Sequence, residues 1–107
     1  MKDCVFCKII NGEKSADFVY QDEKVVAFDD LHPRAKVHVL IVPRKHIPTI
    51  REIEEEDKSL MGHLVWVAKK IAQDKGLTNY HLIFNVGVQE VFHIHLHLLS
   101  SDFKLLL

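Results

Sequence analysis

The sequence predicts an α+β fold: a mostly antiparallel sheet of about five strands with one long helix and a short N-terminal helix. Three observations lead there. Apolar runs of strand length flank a single stretch of helical periodicity. That stretch, between Thr49 and Gly76, is the one place where apolar residues recur at i, i+4, i+7 and i+8. The resulting order, β-β-β-α-β-β, brings sequential strands side by side instead of alternating them with crossover helices. A length of 107 residues suits one domain spanning 1–107. With 48% hydrophobic and 27% charged residues, disordered and fibrous classes are excluded. The 14 Lys and Arg against 15 Asp and Glu give a net charge of −1, so no general affinity for nucleic acid or anionic membrane is expected.

The N-terminal residues lack the apolar core of a secretory signal, and no apolar run approaches the roughly 20 residues that cross a bilayer. A cytoplasmic location is the expectation. There, Cys4-Val5-Phe6-Cys7 reads as a metal or redox pair sooner than as a structural disulfide. Residues 9–13 form a short helical turn that Gly12 closes. Phe18-Val19-Tyr20 and Val25-Val26-Ala27-Phe28 form a hairpin around the polar turn 21–24. Residues 29–34 are a loop, because Pro33 disfavours helix at His32. The β-branched run 37–42 reads as a buried third strand that stops at Pro43. Thr49-x-x-Glu52 has the capping-box pattern, so the long helix is expected to start there. Leu60, Leu64, Val67, Ala68 and Ile71 supply its apolar face, and Gly76 ends it. Residues 80–86 and 91–99 read as the last two strands.

Eight histidines are many for this length, and their placement matters more than their number. His93, His95 and His97 alternate with Ile94, Leu96 and Leu98. On an extended chain the imidazoles share one face and the aliphatic residues the other. Within roughly 13 Å of backbone, three imidazoles repel each other's protons and stay neutral, as a nucleophile or metal ligand must be. The plainer reading, a polar face on an edge strand, accounts for one histidine more readily than for three in alternation. His32, His63 and His81 read as surface or helix-flank residues.

His93-Ile94-His95-Leu96-His97-Leu98-Leu99 resembles the histidine-triad motif of the HIT superfamily. The N-terminal block 4–10 and the central blocks 27–30 and 33–47 are similar to that family as well, most of all to its Hint branch of nucleoside phosphoramidases. The resemblance implies a hydrolase that cleaves purine nucleoside 5′-phosphoramidates through a nucleotidyl-histidine. It assigns the nucleophile to His95, phosphate contact and leaving-group assistance to His97, and support of the site to His38. It places Asn85 and Gln89 near the phosphate, Asp30 at the ribose hydroxyls, and Phe6, Ile9, Phe28 and Leu31 against the nucleoside. Ile9 fits simple core equally well. Asn85-Val86-Gly87-Val88-Gln89 is shorter than the family's phosphate loop and has Val88 where glycine is expected, so fewer backbone N–H groups face the phosphate. Some bacterial members hold a structural zinc through positions matching Cys4, Cys7, His46 and His93. Reduced unpaired thiols and redox chemistry are the other readings of the cysteines. The resemblance also implies a homodimer built on a continuous sheet. Hydrolysis of dinucleoside polyphosphates and nucleotide binding without turnover are the rival functions.

Overall fold

Alternation along the strands decides the architecture. In β2 (Val25–Asp29) and β3 (His38–Pro43), Val25, Ala27, Val39 and Ile41 face one side, and Val26, Phe28, Leu40 and Val42 the other. Both sides are covered, which is why β3 is apolar from Val39 to Pro43 and buried at every position, His38 included. The structure, a computed structural model, describes residues 3–105. With β1 (Phe18–Gln21), β4 (Tyr80–Ile83) and β5 (Leu96–Ser100), these strands form a five-stranded sheet of order β1-β2-β3-β5-β4. Every pairing is antiparallel, with Ala27 opposite Ile41, Leu40 opposite His97, and Leu82 opposite Leu98.

One face of the sheet packs on α2 (Lys58–Asp74) through Leu64, Val67, Ala68 and Ile71. Leu64 is fully buried, and a leucine so placed contributes about 1.5–3 kcal/mol. The other face packs on α1 (Val5–Ile10) through Phe6, Cys7 and Ile9. No helix of the described residues is long and apolar enough to cross a membrane.

Several boundaries differ from expectation, the first being the short N-terminal helix, which runs over Val5–Ile10 with Cys4 as its cap and ends where the sequence pattern over 9–13 places its start. Thr49 caps only a single 3-10 turn, Ile50–Glu52, its hydroxyl accepting from the Arg51 N–H at 3.0 Å. The chain re-extends at Ile53, makes a second 3-10 turn over Glu55–Asp57, and enters α2 at Lys58. Asp57 sets that later start. Its carboxylate accepts from the Glu54 N–H at 2.9 Å, closing a second capping box around that turn, and from Lys45 Nζ at 2.6 Å across the loop. At the far end the expectation holds. Gly76 sits at φ 73°, and the Gly76 and Leu77 N–H groups donate to Gln73 O at 3.0 Å and Ala72 O at 2.8 Å.

The last two strands are shorter than the runs 80–86 and 91–99. β4 ends at Ile83, opposite His97, and β5 begins only at Leu96, so His93 and His95 precede the ladder. Ile94 N–H instead donates to Ile47 O at 2.8 Å, tying residues 91–95 to the segment that follows β3. The alternation survives without the ladder. Ile94, Leu96 and Leu98 enter the α2-side core, and the histidine rings lie toward α1.

Candidate active site

The three triad histidines and His38 fall into two linked groups, and each ring's tautomer follows from the backbone group beside it. His95 Nδ1 lies 2.8 Å from the carbonyl oxygen of His93. A carbonyl only accepts, so Nδ1 carries the proton and Nε2 keeps its lone pair. His38 Nδ1 accepts from the Arg34 N–H at 3.1 Å, which leaves the His38 proton on Nε2. That Nε2–H donates to His97 Nδ1 at 2.9 Å, with Asp30 Oδ2 at 3.4 Å beside it. His97 therefore carries its proton on Nε2, 3.5 Å from the Asn85 amide, which meets it with its oxygen end once the two ends are assigned by hydrogen bonding. The site thus presents a bare nitrogen on His95 and an N–H on His97, with their rings 4.9 Å apart.

Burial keeps these imidazoles neutral. It lowers the proton affinity of His38 and of His95. Burial, with repulsion from His95 and His38 added, pushes His97 down to about 4. Phe6 meets the His95 ring edge-on, with 5.1 Å between the ring centres.

Asp30, His38 and His97 also lie close enough to grip a cation. The Arg34 N–H argues against it, since it holds the His38 lone pair on Nδ1 and leaves a proton where an ion would bind.

The second group is Cys4, Cys7, His46 and His93, whose ligand atoms lie within 4.8 Å of one another. His93 Nε2–H donates to Pro43 O at 2.7 Å, so its Nδ1 lone pair faces the cysteines and His46. The separations are 3.3 Å from Cys4 Sγ to His93 Nδ1, 3.3 Å from Cys7 Sγ to His46 Nδ1, and 3.6 Å from Cys7 Sγ to His93 Nδ1. The two Nδ1 atoms are 3.1 Å apart. A tetrahedral zinc bound by two thiolates and two imidazoles has ligand–ligand edges of about 3.3–3.8 Å. The donor set fits such an ion both in chemistry and in size. Without a cation, burial first and then the neighbouring Cys4 push the Cys7 thiol up to about 11.

Phe6, Ile9 and Phe28, which the resemblance assigns to the nucleoside, are buried together between α1 and the sheet, with the Phe6 and Phe28 rings 5.6 Å apart. Each is less than a tenth exposed. Leu31 is 82% exposed at the rim, and Asp30 Oδ1 accepts from the His32 N–H at 2.9 Å. Asn85 is exposed above His97. Gln89 is buried, and both ends of its amide are engaged within the protein. Oε1 accepts from the Gly87 N–H at 2.7 Å, and Nε2 donates to Pro48 O at 3.0 Å.

Several contributors escaped sequence reasoning. The Arg34 N–H and the carbonyls of Pro43 and His93 act through the backbone, which carries no residue signal. His63 binds Asp22 Oδ2 at 2.7 Å and stacks on Trp66. Asp22 also accepts from the Tyr20 hydroxyl and the Lys24 and Val25 N–H groups, so His63 ties α2 to the first hairpin. Sequence separation hid that pairing.

Comparison with known proteins agrees with this geometry. Residues 3–107 match the family model described as the scavenger mRNA decapping enzyme C-terminal binding domain. The purine nucleoside phosphoramidase of Escherichia coli strain K12 is 44% identical over 105 residues, covering 94% of this chain and 88% of that protein. A HIT family hydrolase from Legionella pneumophila superposes with a TM-score of 0.89 at 46% identity, covering 92% of this chain and 93% of its own. A HIT family hydrolase from Clostridium thermocellum gives 0.93 at 42% identity, covering 100% and 98%. With a paired histidine cluster on this sheet and relatives of this similarity across nearly its whole length, the chain belongs to the histidine triad (HIT) family of hydrolases.

Proposed function

We propose that the protein hydrolyses purine nucleoside 5′-phosphoramidates through a covalent nucleotidyl–His95 intermediate. The observation that carries this reading is the His95 Nδ1–H bond to His93 O, which leaves Nε2 unprotonated and aimed away from the backbone. The relative 44% identical to this chain, named for phosphoramidase activity, supports the substrate class. In the reaction His95 Nε2 attacks phosphorus and the phosphorus–nitrogen bond of the substrate breaks, the amine leaving with a proton from solvent. Water then attacks the same phosphorus, breaks its bond to Nε2, and releases the nucleotide and the neutral imidazole. His97 Nε2–H, oriented through His38, steadies the phosphoryl oxygens, and Asn85 assists beside it. Asp30 takes the ribose hydroxyls, and Phe6, Ile9, Phe28 and Leu31 border the nucleoside. Gln89 holds the loop in shape through Gly87 and Pro48.

Cys4, Cys7, His46 and His93 would hold one structural zinc, supported by their edge lengths and the Pro43 second-shell bond. Bound there, the ion supplies a cross-link and no chemistry, and it leaves His95 and His97 to act. Two free thiols suit the reducing cytoplasm. The outer position of β4 supports a homodimer, in which a second copy would extend the strand into a continuous sheet.

Steady-state hydrolysis of adenosine 5′-phosphoramidate tests the proposal. Wild type should turn over and His95→Ala should lose at least about 10³-fold in kcat. Adenosine monophosphate binding with no wild-type turnover would refute it.

A further inference from the structure

Arg51 stands beside the phosphate loop with nothing of its own to bind. It belongs to the 3-10 turn Ile50–Glu52 and is exposed. Its backbone is anchored, since the Arg51 N–H donates to the hydroxyl of Thr49, which is itself buried. The guanidinium lies against Gly87. A Cβ added at Gly87 would stand 2.3 Å from Arg51 Nη2 and 3.2 Å from Cζ. Gly87 sits at φ 82° and lies two residues from Asn85, whose amide is 3.5 Å from His97 Nε2.

Among the described residues no ion pair involves Arg51. The adjacent Glu52 carboxylate accepts from the Thr49 hydroxyl instead. A planar fork of five donors, held in place by its backbone and left unpaired at the rim of a phosphoryl site, is a receptor for a planar or tetrahedral anion. The loop residues on either side, Val86 and Val88, are apolar and 42% and 81% exposed, so they do not compete for it.

We infer that Arg51 selects the leaving group by binding a second anion, a carboxylate or a phosphate, carried by the departing part of the substrate. The inference rests on the phosphoramidase reading, because the departing part leaves from the phosphorus that His95 attacks. It names the substrate class more narrowly: phosphoramidates whose amine bears an acidic group a short distance from nitrogen.

Three adenosine 5′-phosphoramidates matched in size test this, made with glycinamide, glycine and aminomethylphosphonate. Their leaving groups end in a neutral amide, a carboxylate and a phosphate-like dianion. For wild type, kcat/KM should favour one or both acidic substrates over the glycinamide conjugate by about tenfold, as one charge-assisted contact provides. The favoured acid identifies the source of the anion. In Arg51→Gln the ratio of acidic to neutral kcat/KM should collapse to near one, and Arg51→Lys should retain part of it. A melting curve for each variant establishes that it is folded. An unchanged ratio in Arg51→Gln, with all three substrates slowed alike, would mean the side chain only clamps the loop and would overturn the inference. So would a wild type that cleaves the glycinamide conjugate with no acidic preference. Wild type that cleaves none of the three refutes the phosphoramidase reading itself, and this inference with it.

Discussion

At the scale of single residues, the site works by fixing where each proton sits. His95, His38 and His93 each have one ring nitrogen committed to a backbone group, and the other is thereby free for chemistry, relay or ligation. The half-buried His97 shows the thermodynamic cost. Its pKa is pushed from 6.5 down to about 4, so the unfolded chain takes up a proton first as pH falls. Stability from this group is complete above about pH 6.5 and is lost as pH drops toward 4. The melting temperature should therefore be flat between pH 8 and 7 and decline between 6.5 and 4 in low-salt buffer. His97→Gln should make that decline shallower, and an identical slope in the variant would place the lost stability elsewhere. Residue types at the site were legible in the sequence because alternation puts every second side chain on one face. The protonation pattern was not, because its determinants are main-chain atoms far away in sequence, such as the Arg34 N–H.

Among elements, α1 and α2 differ in what holds them. α2 is held by a broad apolar face and a glycine stop. Gly76→Ala should cost about 1 kcal/mol, a fall in Tm of about 4–8 °C, because alanine resists the positive φ of 73° there. α1 is six residues long, too short to persist alone. It depends on Phe6, Cys7 and Ile9 against the sheet and on Cys4, whose sulfur caps its first turn by accepting from the Cys7 N–H at 3.3 Å. Zinc bound at Cys4, Cys7, His46 and His93 would tie this helix to the triad segment. Metal analysis should find about one zinc per wild-type chain and little in Cys4→Ser, with Tm lowered by about 5 °C or more. Equal, near-zero metal in both proteins would dispose of the zinc. The start of α2 was misplaced from sequence for a definite reason. Thr49-x-x-Glu52 does cap a turn, yet Glu54 and Asp57 form a second capping box further on, with Lys45 held to Asp57 across the loop, and α2 starts after that one.

For the whole molecule, the sheet order leaves β1 and β4 as outer strands, with no further strand paired to β4 among the described residues, and Leu82 on β4 is 37% exposed. Trp66 and Val65 are likewise about half exposed on the outer side of α2, at 51% and 45%. A monomer with a bare strand edge invites pairing with a second copy. Light scattering after size-exclusion chromatography should return twice the chain mass of 12.4 kDa, and Leu82→Lys should shift the population toward monomer. A wild type that runs as a monomer at micromolar concentration would sink the dimer.

The resemblance to the HIT family, not any spacing, brought His38, Asn85 and Asp30 to the site, whereas the sequence alone carried the α+β class, the faces of the strands, the single long helix and the shared face of His93, His95 and His97. These all follow from local periodicity, where a side chain's direction depends on its own stretch of backbone. Tertiary structure decided where the final strands end, which proton each imidazole carries, that His63 reaches Asp22, and that Arg51 lies over Gly87. Each of those depends on atoms brought together from distant parts of the chain, and only packing selects such neighbours.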